Sequence, residues 1–341
     1  MVHKVVTIGE MMGRLSPPGN LRFEQANSFQ IDYGGGEFNV SASLSNYGIP
    51  TDFITAIPNN PLGNAALKVI RSFGIGDEHI LRQGDRLGLY FLEHGAAGRN
   101  SNVIYDRANS SMSQIQPRTI NWEIVFKDAT WFHWSGITPA LSQSAADVCK
   151  EAVEIASKMG LTISTDLNYR SKLWKYGKAP KQVMPDLLKY SHVILADVDT
   201  TLFMLGHQKI DPNYLDENEV KKVFQKVKNL LPNLTSIGMT YRHSVNASFQ
   251  KIGGILYTDE QLYRTTIKDA DPVIDRVGTG DAFMAGLLYG LLEHADDPQT
   301  AIDFATGACV LKHTIYGDIN RVTKEEVFQF IHSDGSAKVS R

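Results

Sequence analysis

The string Asp275-Arg276-Val277-Gly278-Thr279-Gly280-Asp281-Ala282-Phe283 sets two glycines and a carboxylate at the head of an apolar, helix-forming run. Gly278 and Gly280 permit a tight turn on which the N–H groups of Gly278, Thr279, Gly280 and Asp281 converge, and a helix starting there adds its unpaired donors and positive dipole end. Such a cradle is an anion hole. Its natural guest is a transferring phosphoryl group, whose equatorial oxygens carry the charge to be stabilised. No further charge follows until Glu293, so this helix should be buried on most sides. Asp281, in its first turn, is then placed to accept a hydroxyl proton while the neighbouring amides hold the phosphate. The plainer alternative is an acid that merely suits a helix N-terminus, and for a lone Gly-x-Gly-Asp it would prevail.

A second segment, Tyr33-Gly34-Gly35-Gly36-Glu37-Phe38-Asn39-Val40-Ser41, leads into a helix expected to end near Gly48. Bare backbone at Gly34 and Gly35 can approach a sugar closely, and Asn39 offers both donor and acceptor to vicinal hydroxyls. A plain strand-to-helix turn is the alternative. Gly36-Glu37-Phe38 also resembles the end of the GGDEF motif of diguanylate cyclases. That is rejected because the acidic metal ligand of the motif is here Gly36, and a helix rather than a hairpin follows.

These residues need a scaffold that brings two helix N-termini together. Apolar runs at Val5 to Ile8, Phe53 to Ala56, Thr130 to Trp134, Leu161 to Thr165, His192 to Ala196 and Ser236 to Thr240 alternate with helical patterns. That order predicts an α/β fold with a mostly parallel sheet and helices on both faces. Asn60-Pro61 opens a helix closing at Gly74, and Ser142 or Ser144 opens one closing at Gly160. From Glu217 to Leu231, Val220, Phe224, Val227 and Leu231 share a face opposite Lys221, Lys222, Lys226 and Lys228, an ordinary surface helix. Phe23 to Tyr33 and Leu87 to Tyr105 break the alternation and read as short strands of an added sheet, placed to form a lid over the carboxyl ends of the parallel strands.

The chain has 341 residues, 43% hydrophobic and 21% charged, with net charge −3. It can bury a sizeable core, and it has no field to gather nucleic acid or acidic membranes. Cys149 and Cys309 lie in apolar helical patterns and read as core residues, with no disulfide expected. The N-terminal apolar run is too short for a secretory signal, and Ala282 to Leu292 is about half of a membrane span, so a cytoplasmic location is expected. Neither a G-x-x-x-x-G-K-[ST] loop nor an H-R-D or D-F-G string occurs, which excludes those phosphotransfer architectures.

The nine-residue string resembles the D-T-x-G-A-G-D-x-F signature of ribokinase-like (PfkB) carbohydrate kinases, with Arg276 for Thr and Thr279 for Ala. The Asp-Arg-Val-Gly variant is similar to that of 2-keto-3-deoxygluconate kinases. So are Gly9-Glu10-Met11-Met12, Arg14-Leu15-Ser16-Pro17-Pro18, Gly88-Leu89-Tyr90-Phe91-Leu92-Glu93, Val103-Ile104-Tyr105-Asp106-Arg107-Ala108, Asp166-Leu167-Asn168-Tyr169-Arg170 and Leu311-Lys312-His313-Thr314. The resemblance implies a ribokinase-like domain over residues 1–335, with lid strands inserted at about 13–35 and 86–110, and the small, polar composition of the chain end predicts a flexible tail at 336–341. It implies ATP and Mg²⁺ as cofactors, Asp281 as base with the Gly278, Thr279 and Gly280 amides as anion hole, and a sugar acid bound by Gly34, Gly35, Asn39, Tyr90, Tyr105, Arg107 and Arg170. A planar guanidinium is a two-pronged match for a carboxylate, although surface ion pairs for the arginines and lid packing for the tyrosines are the plainer readings.

On the nucleotide side the resemblance implies Thr240 and Arg242, with Gly307 and His313 from the last long helix pattern. The family's N-x-x-E-like string reads Asp197-Val198-Asp199-Thr200 here, and Asp197 or Asp199 is left to hold Mg²⁺ through water. The implied reaction is phosphorylation of 2-keto-3-deoxygluconate at its terminal hydroxyl. Two alternatives stand beside it: a kinase for a neutral ketose or pentose, and a sugar-binding regulator without turnover. A homo-oligomer built from dimers through the added sheets is expected.

Overall fold

The computed structural model describes residues 3–208, 210 and 216–333; the expected tail at 336–341 lies outside them. Its strands are β1 (Val5–Ile8), β2 (Met12–Ser16), β3 (Gln30–Gly34), β4 (Thr51–Ile54), β5 (Ala56–Ile57), β6 (Leu81–Arg82), β7 (Gly88–Glu93), β8 (Asn102–Asp106), β9 (Trp131–Ser135), β10 (Thr162–Asp166), β11 (Val193–Leu195), β12 (Ser236–Asn246), β13 (Phe249–Thr258), β14 (Gln261–Arg264) and β15 (Lys268–Ala270). The helices are α1 (Gly36–Asn46), α2 (Pro61–Ser72), α3 (Trp122–Val125), α4 (Thr138–Leu141), α5 (Gln143–Lys158), α6 (Met184–Leu188), α7 (Val198–Met204), α8 (Glu217–Leu230), α9 (Thr279–Glu293), α10 (Pro298–Lys312) and α11 (Lys324–His332).

The main sheet runs β14-β13-β12-β11-β10-β9-β1-β4, with β15 also on β13. From β4 to β12 every pairing is parallel. Beyond β12 the sheet turns antiparallel, an extension that the alternation of strands and helices did not predict. The hairpin between β13 and β14 turns on Asp259 and Glu260, both at positive φ, so two acidic residues fill positions that usually favour Gly or Asn.

Period-two alternation divides the strands between two cores. Val6, Ile8, Phe132 and Trp134 pack with α5 and α8, while Val5 and Trp131 pack with α1, α9 and α10. Both cysteines lie buried in these cores as free thiols. The α9 helix is uncharged between Asp281 and Glu293 because α10 covers it so closely: a Cβ on Gly286 would lie 2.7 Å from Ala305 Cα. Asn60 and Ser142 cap α2 and α5 as expected, each accepting from a backbone N–H of the first turn, and Gly74 and Gly160 follow at positive φ. Among the described residues no helix is long and apolar enough to cross a membrane.

The lid is a second sheet, ordered β3-β2-β7-β8, with β2 and β7 parallel and the outer pairs antiparallel. Two expectations need correction. Phe23 to Tyr33 is not strand throughout, because Phe23–Gln25 forms a 3-10 turn: Gln25 N donates to Arg22 O at 3.0 Å, Phe23 N to Glu93 Oε2 at 3.0 Å, and the preceding Arg22 N to Gln25 Oε1 at 3.0 Å. Phe53 to Ala56 is also not one strand. The chain leaves the main sheet after Ile54, and β5 pairs with β6 in a small separate sheet.

Candidate active site

The glycine turns put the N-termini of α1 and α9 face to face. Asn39 Nδ2 donates to Asp281 Oδ2 at 2.7 Å, and Gly35 N donates to Asn39 Oδ1 at 3.3 Å. Gly278 caps α9 with φ of 80°, and any Cβ there would strike the Asp318 carbonyl, so both conformation and contact demand glycine. Around Gly280 the space is open: an added Cβ would meet no atom within 4 Å. The amide turn therefore faces a cleft of about 510 Å³, lined by Asp281, the turn itself and lid residues Tyr90 and Tyr105.

Electrostatics suit the turn to an anion. Arg242 Nη2 donates to Thr279 Oγ1 at 2.9 Å, and Arg276 lines the cleft beside it. Burial, and then the neighbouring Arg242 charge, lower the Arg276 pKa, as expected for two cations held close together. Burial pushes the Asp281 carboxyl up to about 7. The Asn39 hydrogen bond opposes that shift, and Asp166, Asp318 and Glu37 add to it. Its neighbour Asp166 is pushed up to about 6 by burial, against the pull of Arg170. A carboxylate that titrates near neutrality, next to converging amides, can take a proton from a hydroxyl as a phosphoryl group arrives.

The proposed sugar-side residues share this cleft. The Tyr90 hydroxyl lies 2.6 and 2.5 Å from the two Asp318 oxygens, and Tyr105 stands at the exposed mouth with its ring centroid 6.0 Å from that of Tyr90. Arg107 is buried, bonded through Nε and Nη2 to Glu10 Oε2, with its guanidinium 5.7 Å above the Tyr105 ring. Arg170 is exposed, and Nη1 donates to Tyr169 O at 3.2 Å.

The model of pfkB family carbohydrate kinases matches residues 2–323 of the chain. The chain belongs to that family. A 2-dehydro-3-deoxygalactonokinase of Haloferax volcanii is 33% identical, with 100% of each chain covered. Among solved structures, a 2-dehydro-3-deoxygluconokinase of Thermotoga maritima is 38% identical with a TM-score of 0.92, covering 98% of this chain and 99% of its own. A PfkB family carbohydrate kinase of Listeria grayi is 32% identical with a TM-score of 0.89, covering 97% and 100%. The protein is thus a phosphotransferase of the carbohydrate kinases, with sugar-acid kinases among its relatives.

Other residues singled out in the kinase's sequence are more dispersed. Asp197, Thr200 and Thr240 line an adjoining cavity of about 280 Å³ that shares Asp166, Asn168, Arg170 and Gly280 with the main cleft. Asp197 is also the N-cap of α7, accepting from Thr200 N at 2.6 Å and Thr200 Oγ1 at 2.8 Å, and Asp199 follows in that first turn. Gly307 lines a separate hollow of about 170 Å³ with Arg264, Lys268 and Thr306. His313 is fully buried, its Nδ1 2.8 Å from Cys309 O, and burial presses its pKa down to about 3. Its side chain packs as a neutral core group, while its carbonyl accepts from Ile274 N and Asp275 N. Gly34 turns its bare face to the Asp318 carboxylate, and Gly35 and Gly36 line the cleft.

Sequence reasoning overlooked several cleft residues of the kinase. Arg276 was noted only as a departure from the signature, yet it brings a cation into the cleft beside the amide turn. Asn168, with φ of 38°, lines both cavities, and a positive φ outside glycine is a strain that no spacing rule announces. Asp318 lines the cleft as well, but Gly317-Asp318-Ile319 carries no motif.

Proposed function

We propose that this kinase transfers the γ-phosphoryl group of ATP to the terminal hydroxyl of 2-keto-3-deoxygluconate, giving the 6-phosphate by in-line displacement. The observation that carries the reading is one cleft holding Asp281, the amide turn and four arginines, Arg107, Arg170, Arg242 and Arg276. Arg242 and Arg276, at the turn, answer the phosphate charge. Arg170, exposed in the same cleft, is the cation left for a substrate carboxylate, whereas Arg107 already spends Nε and Nη2 on Glu10 and could add only its remaining donors. Sugar-acid activities carried by relatives 33% and 38% identical support the same substrate class.

In this mechanism Asn39 orients Asp281, Asp281 takes the proton of the attacking hydroxyl, and the amides of Gly278 to Asp281 stabilise the charge on the transferring group. The 280 Å³ cavity beside Gly280, with Thr240 in its wall, suits the nucleotide phosphates, and the hollow at Gly307 suits the base. Among the described residues no group of three or more His, Cys, Asp or Glu is arranged to hold a metal. If Mg²⁺ enters with the nucleotide, Asp197 in the cavity wall and Asp199 in the same helical turn would hold it through water, and the ion would neutralise phosphate charge there. The lid leaves Phe29, Ile31 and Ile104 exposed, apolar surface suited to pairing two copies through their lids.

The test is ADP release with ATP and a panel holding 2-keto-3-deoxygluconate, its galactonate C4 epimer, fructose and ribose, with ³¹P NMR of the product. A 6-phosphate of the gluconate acid at the highest kcat/KM is expected. Preference for fructose or ribose would transfer the assignment to a neutral-sugar kinase.

A further inference from the structure

Behind the amide turn lies a buried ionic cluster to which none of the roles above gives a purpose. Arg14, on lid strand β2, is wholly enclosed. Its guanidinium donates from Nη2 to Asp275 Oδ2 at 2.6 Å, from Nη1 to Asp318 Oδ1 at 2.8 Å and from Nε to Ser16 Oγ at 3.0 Å. Nη2 also lies 2.9 Å from Nε2 of His94. Lys312, also fully buried, donates from Nζ to Ile315 O at 3.0 Å and Asp275 O at 3.3 Å. Arg14 thus bridges two buried carboxylates, with relative exposures of 1% for Asp275 and 4% for Asp318, and Lys312 adds a second buried cation bonded to backbone carbonyls.

A buried ion network is weak evidence for stability, since desolvation offsets the attraction between its members; its best-attested use is to fix one arrangement among several. The arrangement fixed here borders the chemistry on every side. Asp275 accepts from Val277 N at 3.0 Å and Gly317 N at 3.1 Å, so it shapes both the turn leading to Asp281 and the loop bearing Asp318. The Asp318 carbonyl packs on Gly278, and its carboxylate receives the Tyr90 hydroxyl from β7. Lid wall and amide turn therefore meet in a single guanidinium fork.

We propose that Arg14 is a positioning residue that couples the lid to the anion hole: by clamping Asp275 and Asp318 together, it sets the amide turn and the Tyr90 wall in register for phosphoryl transfer. The inference rests on reading the 278–281 amides as the anion hole. It does not depend on the sugar, so it is tested with whichever acceptor the wild type prefers.

Arg14→Lys keeps the charge but lacks the fork that spans two carboxylates. Its melting temperature should fall, because one of the two buried carboxylates loses its partner, while in the folded variant kcat falls about 10- to 100-fold, the scale of a misplacement of about 1 Å. KM for ATP should move less than about threefold, because ground-state binding is not what the clamp provides. Asp275→Asn should show the same split, and the double variant should lose no more than the worse single, since both break one clamp. Turnover within twofold of wild type in a folded single variant, or losses that multiply in the double, would overturn the proposal and leave Arg14 as scaffold. If Arg14→Lys does not fold, Asp275→Asn alone decides by the same kcat criterion.

Discussion

The side-chain amide of Asn39 donates to Asp281 across 2.7 Å, tying the first turn of α1 to the first turn of α9. The bond favours the ionised carboxylate against the burial that drives it up to about 7. Only the ionised form can take a proton, so kcat/KM should rise with pH through about 7 and level off above it. In Asn39→Ala the same limb should move to higher pH. A pH–rate profile on both proteins checks this, and a limb that stays in place or moves down contradicts it.

Asp281→Asn should lower kcat by roughly two to four orders of magnitude while leaving nucleotide affinity near normal. It should also change stability in a pH-dependent way. The carboxyl titrates near 7 when folded and near 3.9 when unfolded, so the folded chain holds the extra proton between those values. Stability from the protonated form is complete below about 4 and lost as pH rises through 7. The Asn variant should therefore melt roughly 2–4 °C above wild type at pH 8, with the gap closing by pH 4. Melting curves at those two pH values test the sign.

The arginines assigned to the sugar acid should separate by stability. Arg170 is exposed, so Arg170→Ala should fold as wild type and lose about one to two orders of magnitude in kcat/KM for the acid, with a much smaller loss on a neutral sugar. Arg107 is ion-paired to buried Glu10, and Arg107→Ala leaves that carboxylate unpaired, at about 3–5 kcal/mol. It should lose substrate preference and melting temperature together. An acid-to-neutral ratio unchanged in both variants would remove the carboxylate clamp.

Gly278 and Gly280 should respond differently to the same methyl group. Gly278→Ala meets both a positive φ and the Asp318 carbonyl, so it should destabilise the fold by about 1–3 kcal/mol and abolish turnover. Gly280→Ala enters open space, so it should fold normally and impair phosphate binding alone. Equal melting temperatures for the two variants would contradict this account of the turn.

Much of this was legible from the chain because local chemistry and global fold agree. Gly278, Gly280 and Asp281 announce a glycine turn and a carboxylate within one stretch, and the structure places them at one helix N-terminus. The two-core sheet follows from strands whose neighbours alternate faces, as Val5 and Val6 do. What stayed hidden depends on long-range pairing. Nothing near Asp318 hints that it would meet Arg14 and Tyr90, and Arg107 gives no local sign that Glu10 would occupy it. His313 looked available beside a proposed nucleotide helix, but helix register turned its ring into the core.

The partners of Arg14 lie 261 and 304 positions further along the chain. During synthesis, β2 is complete while most of the protein is still unmade, and its arginine must wait in water, since enclosing it unpaired would cost several kcal/mol. Lid and main sheet therefore have reason to stay apart until Asp275 and then Asp318 have left the ribosome, even though earlier strands can already pair. Catalytic competence on this account arrives in one late step. A chain that ends before Asp318 lacks one of the two carboxylates that the Arg14 guanidinium spans, so it also lacks that link between lid and amide turn.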